Sequence, residues 1–220
     1  MQEQTKSKTK KKVASVSNVA LLLMGTTLLG QLLGFLRTRL VNANFSAIGS
    51  HSTDAYFAAF NIPDFFYYTI AAGAIGVAVI PVLTDRLHRL DRHAMWESLN
   101  NLLNCLCIVM LFVAVFILIF ARPLISHIVA PNFTPAQLNT ATDIMRLLAF
   151  NPLFFTISGL LIAAQQTLGR FFFYAISSLF YNLSIIISVY AFKNTSIGIV
   201  GLGIGACFGA FLQLLVVSVG

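Results

Sequence analysis

Arg37 lies three residues after Gly34 and seven after Gly30. On a helix those steps bring all three residues onto one face. The two glycines form a GxxxG pattern that lets a neighbouring helix approach closely. Arg39, two residues on, points elsewhere, toward the outer interface. An arginine inside a membrane helix costs about 2.5–3.5 kcal/mol on insertion scales. Arg37 therefore either snorkels from near its helix end to the interface or serves a polar cavity. Two carboxylates follow. Asp54 stands after Thr53, a good N-cap, where a helix start favours negative charge. Asp64 stands in Phe60-Asn61-Ile62-Pro63-Asp64. It has three readings: with Asn61 it satisfies backbone groups freed by Pro63, it pairs with Arg37, or it binds a coupling cation or a substrate.

These groups suit binding better than catalysis. The sequence holds no nucleophile–base pair, no metal-ligand spacing and no phosphate-cradling glycine loop before Lys-Ser/Thr. Cys105, Cys107 and Cys207 fall in apolar runs and read as small buried hydrophobes. His51, His88, His93 and His127 lie in loops or at interfaces. No cofactor and no metal is expected, and nucleic acid is not an expected partner.

The elements that must position Arg37 and Asp64 are membrane helices. Hydrophobic residues make up 58% of the 220 and charged residues 10%, and the mean hydropathy is +0.85. A soluble domain carries about 25% charged residues, and a disordered chain is poor in apolar ones. Uncharged runs at 13–36, 65–84, 98–121, 147–169, 171–192 and 194–220 are each long enough to cross a bilayer, which takes about 20 helical residues. They lack the dyad alternation of a barrel. The reading is an all-α polytopic membrane protein with six transmembrane helices, spans at about 13–43, 54–84, 98–121, 144–168, 171–192 and 198–220, after a lysine-rich tail at 1–12. A further run, 123–142, holds three prolines and reads as a loop with a short interfacial helix. The tail lysines and Arg86, Arg89 and Arg92 place the N-terminus in the cytoplasm. The first apolar run is too long for a cleaved signal. Gly73 and Gly76 suit close packing, and Pro81 marks the inner end of the second span. Asn182 and Gln165 read as interhelical hydrogen-bonding groups, worth about 0.6 kcal/mol each.

A series of short segments carries a family resemblance: Leu33-Gly34-Phe35-Leu36-Arg37, Thr53-Asp54-Ala55-Tyr56-Phe57-Ala58-Ala59-Phe60, Ile62-Pro63-Asp64, Ala72-Gly73-Ala74 and Val79-Ile80-Pro81-Val82-Leu83. Ala130-Pro131-x-Phe133, Arg170-Phe171, Asn182 and Gly209-x-x-x-Gln213-Leu214 extend it. In this order they resemble the MurJ (MviN) family, lipid II flippases of the multidrug/oligosaccharidyl-lipid/polysaccharide exporter superfamily. The resemblance implies a two-lobed transporter working by alternating access, of which this chain is the N-terminal lobe. It also implies a cationic cavity for a pyrophosphate-linked precursor, since arginine forms charge-assisted bonds to phosphate. Arg37 falls on a family cavity arginine, and Asp54 on the Thr-Asp-Ala aspartate. The sequence departs from the family at Gln31, where an arginine is usual, and at Thr38, where Asp is usual. It departs again at Tyr67 and Tyr68, which replace a paired Arg-Arg, at Asp64, which replaces Asn, and at Ala72, which replaces Glu.

The leading expectation is thus a lipid II flippase, or its N-terminal lobe, in the bacterial cytoplasmic membrane. Arg37, Asp64, Tyr67 and Gln31 would contact substrate, while Gly30, Gly34, Asp54, Pro63, Gly73 and Asn182 would pack or gate. Partners would be the lipid-linked precursor, membrane lipids and a second lobe or another chain. Without a nucleotide loop, energy would come from membrane potential or an ion gradient, the ion unknown. Two alternatives stand beside it: a cation, drug or polysaccharide-lipid exporter of the same superfamily, and a truncated, non-transporting membrane scaffold.

Overall fold

The computed structural model describes residues 2–47, 49 and 52–220, with side chains from residue 19 onward. His51 and the side chains of the lysine tail lie outside the described residues. The regular elements are all helical: α1 (Gln2–Asn44), α2 (Thr53–Phe66), α3 (Ile80–Arg89), α4 (Arg92–Leu124), α5 (Pro135–Leu147), α6 (Asn151–Thr167), α7 (Phe172–Phe192) and α8 (Val200–Ser218). Two π-helical turns, Tyr67–Ala72 and Ile75–Val79, join α2 to α3; a third, Ile125–Val129, closes α4. A 3-10 turn, Leu148–Phe150, joins α5 to α6. The described residues thus form six stretches long and apolar enough to cross a membrane: Val19–Asn44, Thr53–Arg89, Arg92–Val129, Pro135–Thr167, Phe172–Phe192 and Val200–Ser218. In hydrocarbon every backbone polar group must be satisfied within the protein, which is why unbroken helices are the solution here.

Several helices run further than the sequence suggests. Pro63 is buried inside α2 without ending it, and the ladder widens to π-turns one turn later. Among the described residues neither Asn61, which is exposed, nor Asp64 is bonded through its side chain to the backbone around Pro63. Pro81 does not end the second span either: it occupies the first turn of α3, and the helical stretch continues through it to Arg89. The segment at 123–142, expected as a loop with a short interfacial helix, is mostly helix. Pro123 lies inside α4, and α5 begins at Pro135 behind a Thr134–Gln137 capping box. The first cap also differs from expectation. Ser52, not Thr53, caps α2, its Oγ accepting the Ala55 N–H at 3.3 Å.

Ser52 is fully buried and also accepts a bond from Gln137 Nε2 at 3.4 Å, tying the start of α2 to the start of α5. Replacing it with alanine should cost about 1–2 kcal/mol, read as a lowered thermal midpoint of the detergent-solubilised protein. An unchanged midpoint would show that this end of the bundle does not depend on the cap.

Packing is organised around α7, which lies between α1 and α8. Gly30 and Gly34 bring α1 onto α7: a Cβ at Gly30 would stand 3.7 Å from Ser178 Oγ, and one at Gly34 3.9 Å from Asn182 Oδ1. Gly201, Gly205 and Gly209 bring α8 against the other side, facing Phe192, Ser188 and Ser184. A large buried cluster around Tyr56, Ile117, Ile144, Leu148, Ile185 and Leu202 joins α2, α4, α5, α7 and α8. A smaller one, around Leu83, Met95, Leu99 and Leu160, joins α3, α4 and α6 at the opposite end. Helix α1 stands apart from both for most of its length. It packs mainly on α7, and Leu21, Met24, Leu28, Leu32 and Phe35 stay exposed along it.

Candidate functional site

The separation of α1 from α2 leaves a cavity of about 670 Å³ between them, floored by α7. That lies within the range of about 300–1,000 Å³ typical of small-ligand sites. Each helix contributes one face, and each face follows from helical spacing. Helix α1 gives Thr27, Gly30, Gln31, Gly34 and Arg37. Helix α2 gives Tyr56, Phe57, Phe60 and Asp64, and the π-turn after it gives Tyr67 and Tyr68. Helix α7 gives Ser178, Tyr181 and Asn182, with Phe155 from α6 and Gln213 from α8.

The lining carries one positive and one negative side chain, Arg37 and Asp64. Of the two readings of Arg37, the structure places its guanidinium toward the cavity: its central carbon sits 5.9 Å from the centre of the Tyr181 ring, within cation–π range. Among the described residues no carboxylate lies within ion-pair distance of it; the ion pair found among them joins the exposed side chains of Arg89 and Asp85, one turn apart on α3. Asp64 is half-buried and interacts with Arg37 through the cavity, without contact. The rest of the wall is aromatic and hydroxylic. Tyr67 packs against Tyr68 at 5.4 Å and against Phe155 at 5.6 Å, and Phe155 meets Tyr181 edge-on at 5.3 Å. Tyr56 packs on Phe60 at 4.9 Å. Gly159 lets the second π-turn pack closely on α6: a Cβ there would stand 2.8 Å from Ile75 Cδ1 and 3.8 Å from Tyr67 Oη. The result is a cavity with two opposed charges held apart, lined by four tyrosines able to donate or accept hydrogen bonds.

The structure brings seven of the residues singled out in the sequence to this one cavity: Gly30, Gln31, Gly34, Arg37, Asp64, Tyr67 and Asn182. It leaves three out of the lining. Asp54 is exposed in the first turn of α2, Pro63 is buried behind the cavity face, and Gly73 lies exposed beyond Tyr68. Asn182 donates to Ser178 O at 3.3 Å, within its own helix, and so is not the interhelical bond expected of it. Gln165 is: its Nε2 donates to Val217 O of α8 at 2.6 Å. Sequence reasoning missed Tyr56, Tyr181, Ser178 and Thr27 as lining residues. Their signal was periodicity: Tyr56, Phe60 and Asp64 recur every four residues, as do Thr27 and Gln31, and Ser178 and Asn182, while Tyr181 follows Ser178 by three.

Comparison with known proteins gives the family. The family model for the lipid II flippase MurJ matches residues 44–219. Three similar relatives are probable lipid II flippases MurJ from Buchnera aphidicola. The chain is 29% identical over 191 residues to that of the Schizaphis graminum subspecies, covering 86% of this chain and 37% of the relative. It is 31% identical over 166 residues to that of the Baizongia pistaciae subspecies, covering 74% and 32%. It is 30% identical over 198 residues to that of the Acyrthosiphon pisum subspecies, covering 86% and 37%. The chain spans about a third of the length of the curated relatives it matches. Six membrane-length helices and a family match over most of the chain agree: the chain belongs to the lipid II flippase MurJ family.

Proposed function

We propose that this chain is the N-terminal lobe of a flippase for a lipid-linked cell-wall precursor in the bacterial cytoplasmic membrane, with its N-terminus and the α3–α4 turn in the cytoplasm. The carrying observation is the cavity between α1 and α2, where Arg37 has no carboxylate within ion-pair distance among the described residues and its guanidinium can meet a phosphate. The exposed face of α1 and the open side of the cavity suit a second lobe or another chain, and alternating access would expose the cavity to each leaflet in turn. The basic residues Arg86, Arg89 and Arg92 at the α3–α4 turn support the orientation, because cytoplasmic loops collect such charges.

The test is complementation. The full-length protein containing this lobe is expected to rescue a bacterial cell depleted of its own lipid II flippase, with precursor appearing in the outer leaflet. A stably inserted protein that gives no rescue, repeated in a host closely related to its source, overturns the reading. Asp64 on the cavity wall favours one second reading, an exporter of small cationic compounds from the same superfamily. That reading expects resistance to a cationic dye without rescue of precursor transport.

A further inference from the structure

The cavity lining has no net formal charge. Arg37 is balanced by Asp64, and the positions where the family resemblance expects further arginines, Gln31, Tyr67 and Tyr68, line the same cavity as neutral side chains. A pyrophosphate entering such a site would bring its charge close to a carboxylate that, among the described residues, makes no side-chain hydrogen bond and has no cation within ion-pair distance. Two like charges in a partly dehydrated space do not both stay ionised at low cost. We propose that Asp64 is the counter-ion of Arg37 in the empty cavity, and that an anionic head group binds there together with one proton, taken up by Asp64. The step balances. The phosphate oxygen takes over the charge of Arg37, one proton from solvent adds to a carboxylate oxygen of Asp64, and no covalent bond to the ligand changes. This rests on the flippase reading and deepens it: it makes head-group entry a proton-linked event in the lobe itself.

The surroundings of Asp64 leave few other proton acceptors. Helix α1 brings Arg37, α2 and its π-turn bring Tyr56, Tyr67 and Tyr68, and α7 brings Tyr181. Helices α6 and α8 bring Phe155 and Gln213, and neither α4 nor α5 puts a charged side chain into the lining. Asp64 is therefore the carboxylate through which the lining can change charge.

The test uses farnesyl pyrophosphate as a water-soluble probe on the detergent-purified full-length protein, its Asp64→Asn and Arg37→Ala variants, and farnesol as the uncharged control. Calorimetry in buffers of different ionisation heat counts protons taken up on binding. The parent is expected to take up about one proton more per probe than Asp64→Asn, and to bind about tenfold more weakly for each pH unit over which that proton is taken up, a dependence the variant lacks. The probe's own protonation is common to both proteins and cancels in the difference. Equal affinity, proton count and pH profile for parent and Asp64→Asn, with binding lost in Arg37→Ala, would overturn the proton link and leave the flippase reading standing. Binding of pyrophosphate no better than farnesol in all three proteins would remove the anion site, and both readings with it. If Asp64→Asn failed to fold, Asp64→Glu, which keeps the carboxylate, is expected to keep the proton uptake; its loss there would equally count against the proposal.

Discussion

Arg37→Ala is expected to abolish rescue of flippase-depleted cells while leaving the amount of folded protein unchanged. The two halves of that expectation have separate physical grounds. Arg37 has no ion pair within contact distance and no side-chain hydrogen bond among the described residues, so its removal leaves no hydrogen-bonding group unpaired, and half-exposed Asp64 keeps its access to the open cavity. The folded state loses its contact with the Tyr181 ring, worth about 0.5–2 kcal/mol, and the longer-range attraction of Asp64 across the open cavity. The ligand loses far more. Each hydrogen bond from a charged donor to phosphate is worth about 1.5–3 kcal/mol, and a guanidinium makes two in parallel, so binding should fall by about 100-fold or more. Arg37→Lys keeps the charge but not the planar fork, and should retain partial rescue. Rescue and membrane abundance measured on the same cells separate these outcomes. Undiminished rescue by Arg37→Ala would remove Arg37 from the binding site, whatever the cavity around it does.

That Arg37 faces inward was only half legible in the sequence. Its spacing from Gly30 and Gly34 placed the three on one face, but spacing cannot say whether a face meets lipid, a neighbour or water. The structure answers through α7: the glycines lie against Ser178 and Asn182, which turns the remainder of that face into the cavity. The six apolar stretches were legible because the energy cost of charge in hydrocarbon is large, and it leaves uncharged runs in any membrane helix. The segment at 123–142 was misread for a related reason. Proline and polar residues argue for a loop in isolated helices, but here Pro123 sits in the last turns of α4, and Thr134, Pro135 and Gln137 together start α5. Arg122 then bonds Asn139 Oδ1 at 2.7 Å, a contact between helices that local propensity does not see. The aromatic wall was also out of reach, because Phe155, Tyr67 and Tyr181 come from three helices and meet only after packing.

The largest loss of stability is expected at the crossing of α7 and α8, from Gly205→Leu. The backbones approach so closely there that a Cβ on residue 205 would overlap the Ser188 side chain and stand 3.3 Å from Ser184 O. The same crossing is sealed by Ser184, whose Oγ donates to Gly205 O at 2.7 Å. Separating the helices to admit a leucine breaks that bond in a dry interior and opens the packing of Ile185, Leu202 and Ala206, all fully buried. Overpacking alone costs about 1–3 kcal/mol, and an unmade buried hydrogen bond adds about 1–3 kcal/mol. The sum is a large share of the roughly 5–15 kcal/mol that holds a typical domain together. Gly205→Leu should therefore leave little monodisperse protein on size exclusion in detergent. Gly25→Ala, where the added Cβ meets nothing within 4 Å, should leave the profile unchanged. The cause can be isolated with smaller changes. Gly205→Ala clashes chiefly with Ser188, so adding Ser188→Gly should restore part of the lost thermal midpoint, a coupling that two independent sites would not show. If the double variant is no more stable than additivity predicts, the close approach of α7 and α8 at Ser188 is not what excludes a side chain at position 205.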